Sequence, residues 1–401
     1  MLDLKNHFIT VDRPYKEGAV EVFDQSIPAS DVRRATLTIT ALGVYEAELN
    51  GRKIGDLLFT PGYTYYPRNL HYQVYDVTAL LAEENLLRVW LGQGWYCGRF
   101  TCDNKTQIYG EQPAVSWVLE TEMRDGSVQR FCSDGEGVKA VRSPYGYAGF
   151  YDGEVYYADG GPDEVIQPVP YTGALPETLE ESATGVKIQE EMPVQSFTKT
   201  GDGVILDFGQ NFAGIVEIDP AKMSGGTLKL RHGEILHPDG TLYTTNLRKA
   251  RAEVVYHRGA STEKYRPRFT YMGFRYVELT GTDYVPGLVT AYAVYNEMER
   301  TGAFSCENPL ADRLYQNQVW GQKSNYVEVP TDCPQRDERM GYTGDGHVFA
   351  LTGAYNFDTE AFWAKFLKDI RYSQVDNSEG YVAPTIPAQG PAGIGFLTML
   401  G

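Results

Sequence analysis

Up to about residue 300 the apolar residues of this chain recur at every second position in runs of strand length, and from Asn308 onward they recur at helical spacing. A chain patterned this way folds into sheets first and helices afterwards. The sheet half is interrupted by turn chemistry at intervals of about 8 to 12 residues, the spacing of antiparallel sandwiches. Residues 36–40 alternate, and so do 44–49, where Val44, Glu46 and Glu48 oppose Tyr45, Ala47 and Leu49. Asn50-Gly51 then supplies the two φ > 0 positions of a two-residue hairpin. Further strands are expected at 71–75, 86–91, 114–122 and 128–132. Polar, Pro-rich text from 160 to 193 reads as a linker, and a second sheet block runs from Val194 through 204–211, 227–232, 252–257 and 275–280 to about Glu299.

Pro309 suits a first helical turn, and Leu310, Leu314, Val319 and Trp320 predict an amphipathic helix reaching about Tyr326. A second helix is expected near Asp345 with Val348, Phe349 and Leu351. Asp358 is placed to cap a third, carrying Phe362, Trp363, Phe366, Leu367 and Ile370 on one face, with no strand between the three. The predicted organisation is a sandwich domain with its linker at 1–193, a second sheet domain at 194–300 and a helical segment at 301–401.

Thirty-six basic against 53 acidic side chains give a net charge of −17 over 401 residues, which repels nucleic acid and anionic membranes. The first eight residues lack a continuous apolar core and no apolar run reaches the roughly 18 residues of a membrane span, so a cytoplasmic location is expected. Cys97, Cys102, Cys132, Cys306 and Cys333 are odd in number and follow no metal-ligand spacing, which suits a reducing compartment without disulfides. No metal and no cofactor is expected: His232, His237 and His257 sit in strand contexts that favour hydrogen-bonded imidazoles over a metal trio. Gly92-Gln93-Gly94 falls in strand text rather than before a helix, so nucleotide binding is unsupported. Trp95 and Tyr96 offer a sugar-stacking platform, although aromatic side chains in a sandwich more often belong to its core.

Chemistry is concentrated in residues 331–345, Thr-Asp-Cys-Pro-Gln-Arg-Asp-Glu-Arg-Met-Gly-Tyr-Thr-Gly-Asp. Four carboxylates and two guanidiniums lie within fifteen residues. An inverting glycosidase needs a protonated acid at the leaving oxygen, a second carboxylate on a water, and charged groups that grip ring hydroxyls. The same residues can also make a capped, ion-paired surface loop. Cys333 has no histidine close in sequence to activate it and reads as a packed thiol.

Two sheet blocks followed by helices opening on this motif resemble the bacterial α-L-rhamnosidases of glycoside hydrolase family seventy-eight. Leu49-Asn50-Gly51-Arg52, Thr60-Pro61-Gly62-Tyr63 and Tyr72-Gln73-Val74-Tyr75-Asp76 are similar to the family's first sandwich. Phe208-Gly209-Gln210-Asn211, Arg231-His232-Gly233-Glu234, Asn246-Leu247-Arg248 and residues 267–276 are similar to its second. The resemblance implies a multidomain fold of two antiparallel β-sandwich (jelly-roll-like) domains followed by the first helices of an (α/α)6 barrel. It implies Glu338 as general acid, and Asp332, Arg336 and Asp345 as groups binding rhamnose hydroxyls. Tyr342 falls where an aromatic residue, usually tryptophan, lines the sugar site. For Glu338 to hold a proton, Arg336 and Arg339 are expected to pair with Asp337 and Asp332, leaving Glu338 among apolar and like-charged neighbours. Asp337 is expected to be structural.

Such a barrel needs several hundred residues, and about 100 follow the sheets here. The expected reading is therefore an inverting α-L-rhamnosidase-like hydrolase acting on terminal rhamnose of glycosides or oligosaccharides, incomplete as given, with its general base beyond Gly401 and Asp376 or Glu379 poor replacements. The tail from Val382 reads as a barrel loop broken off. The alternative is a non-catalytic carbohydrate-binding or scaffold fragment. An incomplete helical domain exposes apolar surface, so self-association is expected.

Overall fold

Asn50 and Gly51 both adopt positive φ, 57° and 73°, and close a hairpin in which Leu49 faces Arg52. The computed structural model describes residues 3–28, 31–160, 165–201 and 203–389. It divides into two compact units: Met1–Arg99, Lys105–Gly149 and Val155–Ser182 form one, and Phe100–Asn104, Phe150–Glu154 and Ala183–Gly401 the other. The second sheet block and the helices share one of these units.

In the first unit the strands used below are β1 (Val20–Pro28), β2 (Val32–Leu42), β3 (Val44–Leu49), β4 (Asn69–Asp76), β5 (Glu84–Gly92), β6 (Ala114–Met123), β7 (Val128–Cys132) and β8 (Val138–Val141). One antiparallel layer runs β7-β6-β2-β4, with Leu37 opposite both Leu119 and Tyr75. The other runs β8-β1-β5-β3, with Phe23 opposite Val89 and Ala140. Phe23, Val89 and Leu91 from one layer meet Leu37, Ile39, Trp117 and Leu119 from the other in a single buried cluster. Each large apolar side chain removed from water there contributes about 1.5–3 kcal/mol, and this closes the sandwich. Trp95 and Tyr96 are buried, and Trp95 stacks on Tyr63 at 5.2 Å, which assigns them to packing. Gly94 opens a helical turn, Gly94–Cys97, contrary to the strand expected there, but the turn is only four residues long.

The expected linker is woven into sheets instead. Val169–Pro170 pairs with Ile9–Thr10, and Thr178–Glu181 runs parallel to β4. In the second unit Val186–Met192 (β9) pairs with Val289–Asn296 (β15). Proline is tolerated at sheet edges, where Val169–Pro170 and Thr178–Glu181 lie, and composition alone hides this. Residues 161–164, which include part of the predicted linker, lie outside the described residues.

The second unit adds β10 (Ser196–Thr200), β11 (Gly203–Ile218), β12 (Thr227–Gly233), β13 (Glu253–His257) and β14 (Met272–Thr280). Their order is β13-β12-β14-β11-β15-β9, with β10 also on β11. In its hydrogen bonding this is one continuous antiparallel sheet. The register of β11 on β14 breaks between Asp207 and Phe212, and a bulge of this kind bends a long strand. Phe208, Phe212 and Phe274 pack together in the core, and buried His232 lies edge-on to Phe274 with Nδ1 2.8 Å from the Ala252 carbonyl. Burial pushes the His232 imidazole down to about 4 and keeps it neutral. His257 Nδ1 lies 3.0 Å from Thr227 Oγ1, while His237 packs on Tyr243.

Three helices follow: α1 (Pro309–Asn325), α2 (Thr343–Asn356) and α3 (Glu360–Asp376). Asn308 caps α1 by accepting from the Leu310 amide, and Asp358 accepts from the Glu360 amide at the start of α3. Apolar side chains of α1 and α2 are exposed, in line with the expectation that the helical segment leaves apolar surface uncovered. Leu310 (79 % exposed), Leu314, Val348 (80 %) and Leu351 face outward, while polar Gln322, Ser324 and Asn356 are buried. The buried polar groups are satisfied: Gln322 bonds Asn356 and the Gly353 carbonyl, and Ser324 Oγ accepts from the Ala213 amide of β11. On α3, Phe362 and Phe366 are buried as the spacing predicts, with Phe362 stacked on Tyr326 at 4.3 Å, whereas Leu367 is exposed. Among the described residues no helix is long and apolar enough to cross a membrane.

Glu154, fully buried, accepts from the Phe269 and Arg268 amides and the Tyr265 hydroxyl. Burial pushes its carboxyl from 4.5 up to about 7. The folded state therefore keeps a proton that the unfolded chain has lost between those values, so this contribution to stability is present in full below about pH 4.5 and disappears as pH rises towards 7. Glu154→Gln should flatten that fall. Urea denaturation across this pH range checks it, and an unchanged slope in the variant would refute the assignment.

Candidate active site

The 331–345 motif begins as a loop held at its base. Tyr326–Val327 pairs with Val329–Pro330, Thr331 bridges Gly341, and Gly341–Tyr342 pairs with Thr385–Ile386. No strand is expected between the helices from periodicity. These two-residue pairs are too short to leave a periodic signal, yet they fix the loop's mouth. They also place 385–386 of the supposedly broken tail against the motif. The rest of that tail, from 390 on and including Pro391 and residues 393–397, lies outside the described residues.

Arg339 anchors the loop from beneath. It is almost completely buried and has positive φ (51°). Its guanidinium donates to the Tyr271 and Phe150 carbonyls at 2.6 and 2.9 Å and to those of Gln335 and Arg336, between the Tyr151 and Tyr271 rings. Asp337, also buried, accepts from Asn104 Nδ2 at 2.8 Å. Tyr151 donates to the Glu338 carbonyl at 2.7 Å. The loop backbone is thus set by groups outside it.

On this base Asp332, Arg336, Glu338 and Tyr342 come together. Arg336 Nη2 donates to Asp332 Oδ2 at 3.1 Å, and Arg336 Nε lies 2.7 Å from Glu338 Oε2, an ionic contact without hydrogen-bond alignment. Tyr342 donates to Glu338 Oε1 at 2.7 Å. The expected separation of Glu338 from the arginines is overturned. The Glu338 amide bonds the Arg336 carbonyl, so the chain doubles back and lays Arg336 across both carboxylates, while Arg339 is spent on main-chain carbonyls rather than on Asp337 or Asp332. Asp345 stands apart from this set, exposed in the first turn of α2. It shares with Asp332 a cavity of about 630 Å³ lined also by Gln318, Gln322 and Asn325 of α1.

Two participants come from the sheet. Arg248 Nη1 lies 2.9 Å from Glu338 Oε2, projected from a residue at φ 56°, a conformation that costs energy outside glycine and is held by its surroundings. Glu234 follows β12, accepts from Asn211 and Asn246, and feels the Arg336 charge; burial nonetheless raises its carboxyl above the usual range. Both lie in segments whose likeness to the second sandwich was legible in the sequence. Their convergence on a motif about 90 to 100 residues away was not.

Burial, with the Glu338 charge adding to it, raises Asp332 above the usual carboxylate range against the pull of Arg336. Burial and then Asp332 push the Cys333 thiol up to about 12, so it is no nucleophile. Burial, then the bond to Glu338, raises the Tyr342 phenol and keeps it a donor. Ligand atoms of Asp332 and Glu338 lie within 4.8 Å of each other. Inverting pairs need about 6.5–9.5 Å to admit a water, so Asp332 is not the second carboxylate of such a pair.

Three family models match successive segments: the α-L-rhamnosidase N-terminal domain over residues 30–168, the bacterial α-L-rhamnosidase concanavalin-like domain over 198–295, and the bacterial α-L-rhamnosidase six-hairpin glycosidase domain over 299–398. Sheet domains leading into a six-hairpin segment define a class, the modular six-hairpin glycosidases. Within it, the chain belongs to the bacterial α-L-rhamnosidase family. It is 40 % identical over 387 residues to an α-L-rhamnosidase of Streptomyces avermitilis, covering 92 % of this chain and 37 % of that protein. An α-L-rhamnosidase of Formosa agariphila is 35 % identical, with 94 % and 42 % covered. Among solved structures, the Streptomyces avermitilis α-L-rhamnosidase complexed with L-rhamnose superposes with a TM-score of 0.87 at 37 % identity, over 93 % of this chain and 38 % of that one. The native Aspergillus terreus enzyme gives 0.89 at 32 % identity, over 97 % and 48 %. The chain thus spans about two fifths of the curated relatives it matches.

Proposed function

We propose that this chain carries the acid half of an inverting α-L-rhamnosidase active site, acting on terminal α-L-rhamnose of glycosides or oligosaccharides. The observation that carries the reading is the contact set Tyr342–Glu338–Arg336–Asp332 inside the segment matched by the six-hairpin glycosidase model. Glu338 is the general acid. Asp332 and Arg336 grip ring hydroxyls, Asp345 does so across the cavity it shares with Asp332, and Tyr342 offers a ring face. A sugar bound here competes for the guanidinium N–H groups of Arg336 and Arg248 that lie on Glu338. α1, α2 and α3 are the first helices of the (α/α)6 barrel, and their outward Leu310, Leu314, Val348 and Leu351 are the faces through which the chain self-associates. Five unpaired cysteines support a cytoplasmic setting.

One observation favours the second reading, a carbohydrate-binding or scaffold fragment: the carboxylate nearest at hand, Asp332, stands too close to Glu338 to serve an inverting water. Calorimetric titration with L-rhamnose tests the site under either reading. Binding should weaken about tenfold or more in Asp332→Asn, which loses a charged acceptor, and persist in Glu338→Gln. Folded native chain that binds no rhamnose would sink both the acid-half and the carbohydrate-binding readings.

A further inference from the structure

The sequence places no cysteine near a histidine, but the first unit does. His7 ends the short turn Leu4–His7, Cys132 is the last residue of β7, and Asp134 lies in the turn after it. One potential ligand atom from each falls within 4.8 Å of the others. His7 and Asp134 are 127 positions apart, which is why spacing rules do not register them.

The backbone under these side chains is fixed from several directions. The Cys132 carbonyl accepts from the Gly135 amide at 2.9 Å and from Gln25 Nε2 at 3.1 Å. Ser133, fully buried between the two ligands, exchanges main-chain and hydroxyl bonds with Trp117 and donates through Oγ to the His7 carbonyl. Three donor atoms are therefore presented by an ordered frame rather than by free loops. The Asp134 side chain is 40 % exposed, which leaves one side open to water.

We propose that His7, Cys132 and Asp134 form a binding site for a divalent cation of the zinc class, with water in the fourth position. Imidazole, thiolate and carboxylate together suit a borderline-soft ion and disfavour calcium or magnesium, which take oxygen ligands. As the metal–sulfur bond forms, the Cys132 thiol gives its proton to solvent. One adjustment is needed. His7 Nδ1 and Asp134 Oδ1 are 2.7 Å apart. Bonds of about 2.0–2.3 Å in a tetrahedron set ligand atoms roughly 3.3–3.7 Å from one another, so the exposed carboxylate must swing away slightly or hold the imidazole from behind through that oxygen. Occupancy would tie the turn Leu4–His7 to the end of β7.

Cobalt(II) is the probe, added to the chelator-stripped 401-residue chain, because a thiolate–cobalt bond gives a near-ultraviolet charge-transfer band that nitrogen and oxygen ligands do not. The band is expected in the native chain and in Cys333→Ser, absent in Cys132→Ser, and displaced in His7→Ala to cobalt concentrations at least as high as the roughly 10–100-fold shift that losing a mere outer-shell partner brings. Zinc should bleach it. The Cys333→Ser variant is informative because Asp332, Cys333 and Glu338 also gather three ligand atoms. No band, a band lost with Cys333 instead of Cys132, or a band indifferent to His7→Ala would each overturn the proposal. Circular dichroism establishes that the variants are folded.

Discussion

In a protein that carries the whole six-hairpin domain, Glu338→Gln should lower release of p-nitrophenol from p-nitrophenyl α-L-rhamnoside by about 10²–10⁴-fold, the usual worth of a positioned general acid, whereas the 401-residue chain alone, with only the acid half of the pair, should release none. The substitution keeps the size of the side chain and an oxygen for the Tyr342 hydroxyl, which donates to Oε1 at 2.7 Å, but it removes the proton carrier. Rhamnose binding should survive, because Asp332 and Arg336 stay joined at 3.1 Å. A leaving group that needs little protonation sharpens the test. With a 2,4-dinitrophenyl rhamnoside the variant's deficit should shrink by an order of magnitude or more, whereas loss of a merely structural residue would depress both substrates alike. Turnover of the nitrophenyl glycoside within tenfold of native would remove Glu338 from the acid role. Turnover by the 401-residue chain itself, lost in Glu338→Gln, would mean that a base lies within these residues and would overturn the acid-half reading.

Arg339→Met should cost the second unit about 3 kcal/mol or more, the largest stability effect expected of any residue in the motif. Methionine fills much of the same apolar volume between the Tyr151 and Tyr271 rings, so the loss isolates the guanidinium. Four main-chain carbonyls lose a charged donor, and those of Tyr271 and Phe150 are buried. Lysine should not rescue, because one ammonium cannot reproduce a planar fork reaching four acceptors. Urea unfolding of Arg339→Met and Arg339→Lys measures both, and a loss under about 1 kcal/mol in Arg339→Met would mean that water replaces the guanidinium and that the loop is held mainly by its β bridges. The motif's two arginines therefore divide the work: Arg336 faces the carboxylates and Arg339 holds the backbone.

The order of sheets before helices, the Asn50-Gly51 hairpin and the Phe362 and Phe366 stripe were legible in the sequence from short-range physics: side-chain period and a turn that needs positive φ. The grouping of Glu338, Asp332, Arg336 and Tyr342 was implied by the family resemblance, and the structure brings their side chains into contact. Periodicity located the helices but does not tell which residues are covered: Gln322 and Asn356 bond each other in the interior while Leu310 and Val348 stay outside, as the expected exposure of apolar surface allows. The Pro-rich stretch misled because a strand such as Val186–Met192 depends on a partner more than 90 residues away.

What the tertiary structure alone decided is how the charges of the motif are shared. Charge pairing by proximity assigns Arg339 to a carboxylate, yet a side chain drawn beneath the loop bonds whatever lies there, and what lies there is the main chain of Phe150 and Tyr271. The same long-range folding brings Arg248 onto Glu338, and His7 onto Cys132 and Asp134. Local sequence determines which elements can form and which chemical groups a loop carries. Which groups meet is fixed only when distant strands close, because contact between residues 90 to 130 positions apart is a property of the packed sheet and leaves no mark on the period of either segment.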